Sequence, residues 1–237
     1  MQSENNQVLG SYPISALRKI LDYIEEKRGV KVDIGRIPLD DEKTLELFKR
    51  GDTDGVFGFS SPDIQKYSKQ LKPNSFDDLM ILGAFCGPAR TFRPADAEMI
   101  TEYIDRKSGE WEYDGIHPDV EPIISPTCGM IVYQEQVTEI LCKIVGYTPD
   151  NAEIVRRMLA KLNPEKMAKL EPELMFLCVA KGYDQQIAFK IWDLLLPYTK
   201  YAVRKSLVSI YTLTAYQFAY LKVHYESEFC AALSQVQ

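Results

Sequence analysis

What most constrains this chain is a repeated local pattern. A Pro, Ser or Asp opens a run whose apolar residues recur every three or four positions, and Gly or Pro closes it. That period belongs to helices with one buried face, and the punctuation marks their ends. Pro13 precedes Ile14, Leu17, Ile20, Leu21 and Ile24, and Gly29 follows as a stop. Asp40-Asp41 precedes Thr44, Leu45, Leu47 and Phe48, and that run halts at Gly51. Ser61-Pro62 opens a third run that Pro73 closes, and Asn74 or Ser75 caps a fourth through Phe85. Further helices are predicted over 95–107, 130–145, 150–162, 164–180, 184–196, 206–225 and 226–234. Met99, Ile100, Tyr103 and Ile104 point inward in the first of these. Asp150 with Glu153 has the spacing of a capping box at the start of the third. The stretch Gly55–Phe59 (GVFGF) reads as a strand or a buried turn, Met130–Tyr133 as a short strand, and Gly109–Thr127 as irregular. The fold class expected is mainly α, a multi-helix domain with at most a few short strands.

Composition narrows the function classes. Hydrophobic residues make up 46% of the 237, ample for a buried core, so disorder and collagen-like repeats are excluded. No run approaches the roughly 20 apolar residues of a membrane helix, and the start MQSENNQVLGSYP has no signal-peptide character. Five widely spaced cysteines without a C-x-x-C pair argue against a disulfide framework or a zinc site, and a cytoplasmic location is expected. The net charge of -6 argues against coating DNA by bulk charge. Charge is uneven, however. Residues 96–121 hold nine acidic side chains against Arg106 and Lys107. Arg156, Arg157, Lys161, Lys166 and Lys169 then face Glu165 alone, and Lys200, Arg204 and Lys205 form a second basic cluster. Each cluster alone is consistent with a solvated helix face; two on an acidic protein hint at a phosphate-facing surface.

Self-sufficient catalytic machinery is not evident. The acidic pairs Asp40-Asp41 and Asp77-Asp78 sit where helices begin, and capping accounts for them without a metal. His117 and His224 lack a Cys or His at ligand spacing, and no G-x-S-x-G, G-x-x-x-x-G-K-[ST] or G-x-G-x-x-G motif occurs.

Several segments, in order, resemble the bacterial replicative DNA polymerase III alpha subunit. They are RIPLDDEKTLELFKRGDTDGVFGF, LKPNSFDDLMILGAF, EYIDRKSG, HPDVEPI, GMIVYQEQVTEI, GYTPDNAEIVRRMLAKLNPEKMAK and AYQFAYLKVHYESEFCAAL. The likeness covers roughly residues 33–237 and implies the fingers, a helical region that folds over the incoming nucleotide. Residues 1–32 are then a lead-in helix, connecting from the palm. The resemblance implies that Arg156, Arg157, Lys161, Lys205, Ser206 and Tyr201 face the triphosphate, and that Arg204 and Lys200 face DNA. The implied partners are primer-template DNA, a deoxynucleoside triphosphate and the rest of the alpha subunit. The family's catalytic aspartates lie in the palm, so Mg²⁺ is expected only there. No catalytic residue, metal site or cofactor is assigned to this chain, and alone it is expected to be inactive.

The departures fall on substrate positions. The family's Gly-Lys-Lys-Lys-Pro run reads Ala160-Lys161-Leu162-Asn163-Pro164, so two lysines are lost. Its Gly-Tyr-Gly-Phe-Asn-Lys-Ser-His-Ser segment reads Lys200-Tyr201-Ala202-Val203-Arg204-Lys205-Ser206-Leu207-Val208, without the glycines and the His. Two readings follow: the fingers of a divergent polymerase, or a stand-alone helical module derived from that fold that binds a protein partner.

Overall fold

The computed structural model describes residues 12–88, 94–111, 113–161, 163–198 and 202–234. Among them are twelve α-helices and no sheet; the one β-type pairing is an isolated parallel bridge between Tyr133 and Val203. The mainly helical expectation holds. The chain divides into two compact units, one running to residue 92 and resuming at Val208, the other spanning residues 93–207.

The first unit contains α1 (Tyr12–Arg28), α2 (Glu42–Arg50), α3 (Pro62–Leu71), α4 (Phe76–Cys86), the body of α11 (Lys205–His224) and α12 (Glu226–Ser234). Its core is aromatic: Phe48, Phe59, Phe85, Tyr216, Phe218 and Phe229 are fully buried or nearly so. The α1 stripe is rotated from the expected one. Pro13, Ala16, Ile20 and Ile24 are buried, whereas Ile14 is 74% exposed. The buried set keeps a 3-4-4 spacing, and small Ala16 allows α1 to lie against α12, where Arg28 grips Glu228 with two hydrogen bonds of 2.7 and 2.8 Å. The GVFGF segment is a turn that buries Val56 and Phe59. Gly55 and Gly58 have φ of 77° and 68°, a region a strand residue cannot use, and a Cβ on Gly58 would fall 2.7 Å from the Pro88 ring.

The helix ends follow the punctuation closely. Ser61 and Ser75 cap α3 and α4, and Gly51 closes α2 in the left-handed conformation. Asp41 caps α2 by accepting from the Thr44 N–H (2.9 Å) and hydroxyl (2.7 Å), and the same oxygen lies 3.0 Å from His224 Nε2 on α11. Burial alone would push the Asp41 carboxyl up, but hydrogen bonds from Thr44 and His224 outweigh it and hold the pKa below the usual carboxylate range. In the second acidic pair, Asp78 accepts from the Asn74 N–H at 2.9 Å.

The second unit contains α5 (Pro94–Ser108), α6 (Glu121–Ile124) running into a 3₁₀ turn at Ser125–Thr127, and α7 (Gln134–Ile140), which continues as a π-turn through Leu141–Val145. It then contains α8 (Pro149–Lys161), α9 (Pro164–Ala180), α10 (Gln185–Tyr198) and the first residues of α11. Two expectations change here. Residues 121–127 are helical rather than irregular. The α8 cap is also displaced: Pro149 occupies the first helical position, and the Thr148 hydroxyl accepts from the Asn151 N–H at 3.4 Å. Glu153 is thereby released from capping and turns to arginines instead.

The Asp41 junction yields a test. Asp41→Ala removes a cap and the His224 partner and is expected to cost about 1–2 kcal/mol of unfolding free energy. Asp41→Asn keeps most of the cap but not the charge. Because the folded pKa of Asp41 is lowered, its charge-dependent contribution is present above pH about 4 and disappears as pH falls through the folded value. Urea unfolding at pH 7 and pH 3 should show the wild-type advantage over Asp41→Asn shrinking at the lower pH. An advantage unchanged with pH would contradict the assignment.

Candidate functional site

The site begins with a buried amide. Gln136, in the first turn of α7, is 7% exposed and makes four good hydrogen bonds. Its Oε1 accepts from the N–H groups of Val132 (2.8 Å) and Tyr133 (2.9 Å). Its Nε2 donates to Ile123 O (2.9 Å) and to the Thr127 hydroxyl oxygen (2.8 Å). These bonds satisfy backbone groups of a non-helical stretch that would otherwise be buried without partners. The stretch turns back at Cys128-Gly129, where a Cβ on Gly129 (φ 76°) would strike the Tyr113 ring at 2.7 Å.

The approach fixed by Gln136 presents Tyr133, Gln134 and Glu135 to the segment 202–205. Gln134 N–H donates to Val203 O (2.9 Å), its side-chain amide donates to Ala202 O (3.0 Å), and Val203 N–H donates to Val132 O (3.2 Å). The Glu135 carboxylate receives the Lys205 N–H with both oxygens at 3.0 Å, a negative charge at the N-terminus of α11 where the helix dipole favours it. The Lys205 ammonium lies over the Tyr133 ring, 5.4 Å from its centre. Residues nearly 70 apart in sequence are thus joined at the start of α7.

Between α7 and α8 lies a groove of about 440 Å³ lined by Glu135, Glu139, Glu153, Arg156 and Arg204, among others. Arg156 is largely buried, 12% exposed at its side chain, and donates from Nε and Nη2 to the two oxygens of Glu153, both at 2.8 Å. Arg157, 69% exposed, donates to the same carboxylate at 2.8 Å. Hydrogen bonds from Arg156 first and Arg157 second pull Glu153 down to a pKa of about 2. Glu139 is paired with Lys143. Arg204 is exposed and has no ion pair among the described residues.

Of the residues expected to contact phosphate or DNA, the structure places Arg156 and Arg204 in one groove. Arg157 and Lys161 lie one turn apart on the exposed flank of α8, and Ser206 is exposed in the first turn of α11. Lys205, Arg157, Lys161 and Ser206 do not line the groove. Lys200 and Tyr201 lie outside the described residues. The residues that sequence reasoning missed are Glu135 and Glu153. Glu153 precedes the arginine pair by three and four positions, the ion-pair spacing of a helix, and that signal competed with capping. Asp41 and Asp78 are engaged by backbone N–H groups at helix starts, and no group of three ligating side chains occurs among the described residues.

Fold and groove together define a mainly helical domain with charged side chains gathered at the start of α7. Residues 14–182 match the bacterial DNA polymerase III alpha subunit finger domain, and the chain belongs to that family. It is 37% identical over 226 residues to the DNA polymerase III subunit alpha of Halalkalibacterium halodurans, covering 95% of this chain and 20% of the relative. Against the Escherichia coli K12 subunit alpha it is 34% identical over 234 residues, again 95% of this chain and 20% of the relative. The Pasteurella multocida subunit is 36% identical over 236 residues. The chain therefore spans about a fifth of the length of the relatives it matches.

Gln136 provides the test of how the groove is built. Gln136→Leu leaves two N–H groups and one carbonyl without their partner, and is expected to destabilise the second unit by roughly 3 kcal/mol. Thermal unfolding should register the loss, together with faster amide exchange at Val132 and Tyr133. Wild-type exchange at those two amides would show that the network does not hold the loop.

Proposed function

We propose that this chain supplies the fingers of a DNA polymerase III alpha-like enzyme and contributes to binding primer-template DNA and the incoming nucleotide in DNA-templated DNA synthesis. One observation carries the reading: Arg156 and Arg204, from segments about 50 residues apart, line the same groove. Arginine suits such a role because its planar fork donates two hydrogen bonds to one phosphate. Arg157 and Lys161 beside the groove, and Lys205 and Ser206 at the start of α11, extend a polar surface along which a triphosphate or a few backbone phosphates are held. The Mg²⁺ and the acids that bind it belong, on this reading, to the palm of the same enzyme. Exposed Phe176 and Phe189, 70% and 51% accessible, support the rival reading of a protein-interaction module.

The two readings separate in a binding assay. Fluorescence anisotropy with a labelled primer-template at low salt should show weak binding, Kd above about 1 µM, lost as salt rises. Arg156→Ala/Arg157→Ala is expected to weaken binding and lower the salt slope by roughly 1 to 2. Lys19→Ala/Lys27→Ala, on α1, should change little. Equal losses in both pairs would mean diffuse attraction, and no binding at low salt would favour the interaction module.

The chemistry is tested separately. Primer extension by the 237-residue chain with Mg²⁺ and all four nucleotides is expected to give nothing above background. Templated product that survives repurification would overturn the assignment of the metal-binding acids to the palm.

A further inference from the structure

The groove already contains an anion. Glu153 sits in the guanidinium fork of Arg156, oxygen for nitrogen at 2.8 Å twice over, and takes a third bond from Arg157. That planar two-oxygen arrangement is the one a phosphate would present to the same arginine. We infer that Glu153 is an internal competitor for phosphate: a ligand reaches Arg156 and Arg157 only by displacing its carboxylate, so Glu153 sets the affinity of the groove. The inference rests on the phosphate-binding reading of the groove and adds its regulation.

The charge balance gives the direction. Glu135, Glu139 and Glu153 against Arg156 and Arg204 leave the lining with one more carboxylate than guanidinium. Glu139 has its own cation in Lys143, and Glu135 is held by the Lys205 N–H at the start of α11. Glu153 alone among the three binds the cations that a phosphate needs. It is also able to withdraw, since its side chain is 38% exposed and solvent lies within reach. The first contact for an incoming anion is Arg204, which has no ion pair among the described residues. Transfer to Arg156 follows once Glu153 turns away. Removing the Glu153 charge while keeping its shape should therefore strengthen binding, the opposite of what loss of a merely structural ion pair would do.

Isothermal titration of the 237-residue protein with sodium tripolyphosphate at low salt is the test, with Glu153→Gln, Arg156→Ala/Arg157→Ala and the triple combination as variants. Two partly exposed ion pairs are worth enough to predict a roughly three- to tenfold tighter Kd for Glu153→Gln than for wild type. The gain should vanish when Arg156 and Arg157 are already alanine. Binding by Glu153→Gln alone, with wild type below detection, supports the inference equally. Unchanged or weaker binding in Glu153→Gln overturns it and makes Glu153 a residue that positions the arginines. If Glu153→Gln unfolds, as circular dichroism would show, Glu153→Ala and wild type titrated at rising salt replace it. Wild-type affinity must then first rise, or fall less than simple screening demands, as the internal pair is screened, and a monotonic loss equal to that of Glu153→Ala overturns the inference. The outcomes also separate from the underlying reading: if the double alanine variant binds as wild type does, phosphate recognition by this groove fails, whereas loss in that variant without gain in Glu153→Gln defeats the competitor alone.

Discussion

The groove depends on one side-chain amide. The six residues 128–133, between the 3₁₀ turn and α7, have no helix or sheet to satisfy their backbone, yet Met130, Ile131 and Val132 are buried. An amide that accepts twice and donates twice resolves this conflict, and Gln136 does so from within the first turn of α7. A carboxylate of the same shape would accept at all positions and leave the Ile123 carbonyl facing negative charge; a hydrocarbon would satisfy none. The consequence reaches function because the loop so fixed determines where Tyr133, Gln134 and Glu135 point. Those three residues contact the segment at 202–205, and through them Arg204 comes to share a groove with Arg156.

Electrostatics at the groove follows from this junction. Charges within a few ångströms of one another at a partly desolvated surface interact more strongly than the same charges spread over a solvated helix. The pairs here are local and nearly complete: Glu153 with two arginines, Glu139 with Lys143, Glu135 with a helix N-terminus. A groove so balanced adds little to the long-range field of a chain whose net charge is -6. Any anion it holds must win by geometry, through bidentate bonds to guanidinium groups.

Helix existence and most helix ends were legible because their determinants are local. Asp41, Ser61 and Ser75 are read within four residues of the bond they make. The α1 stripe was misread because two adjacent apolar rows, one through Ile14 and one through Pro13 and Ala16, satisfy the same period, and only packing against α12 chooses between them. The α8 start was misread because Asp150 and Thr148 both carry capping chemistry, and Pro149 decided for the earlier residue. In the site, the two basic clusters were visible as composition. Their meeting was not, since it relies on backbone bonds between residues 132–135 and 202–205 that have no sequence signature.

The departures from the family pattern gain a physical sense at Asn163. Where the Gly-Lys-Lys-Lys-Pro pattern has consecutive lysines, this chain has Lys161 and then Asn163, before the Pro164 that the pattern shares. Asn163 caps α9, its Oδ1 accepting from the Lys166 N–H at 3.1 Å, and Pro164 takes the first helical position with φ already set. At position 163 a lysine of that pattern is replaced by a helix cap. The exchange leaves the arginine pair as the main cationic feature of α8, and it concentrates control of the surface in whatever neutralises that pair. With further lysines alongside, one carboxylate would offset a small share of the positive charge. With only Lys161 remaining beyond the pair, the same carboxylate offsets a third of it, and Glu153 becomes the residue on which the electrostatic character of this face turns.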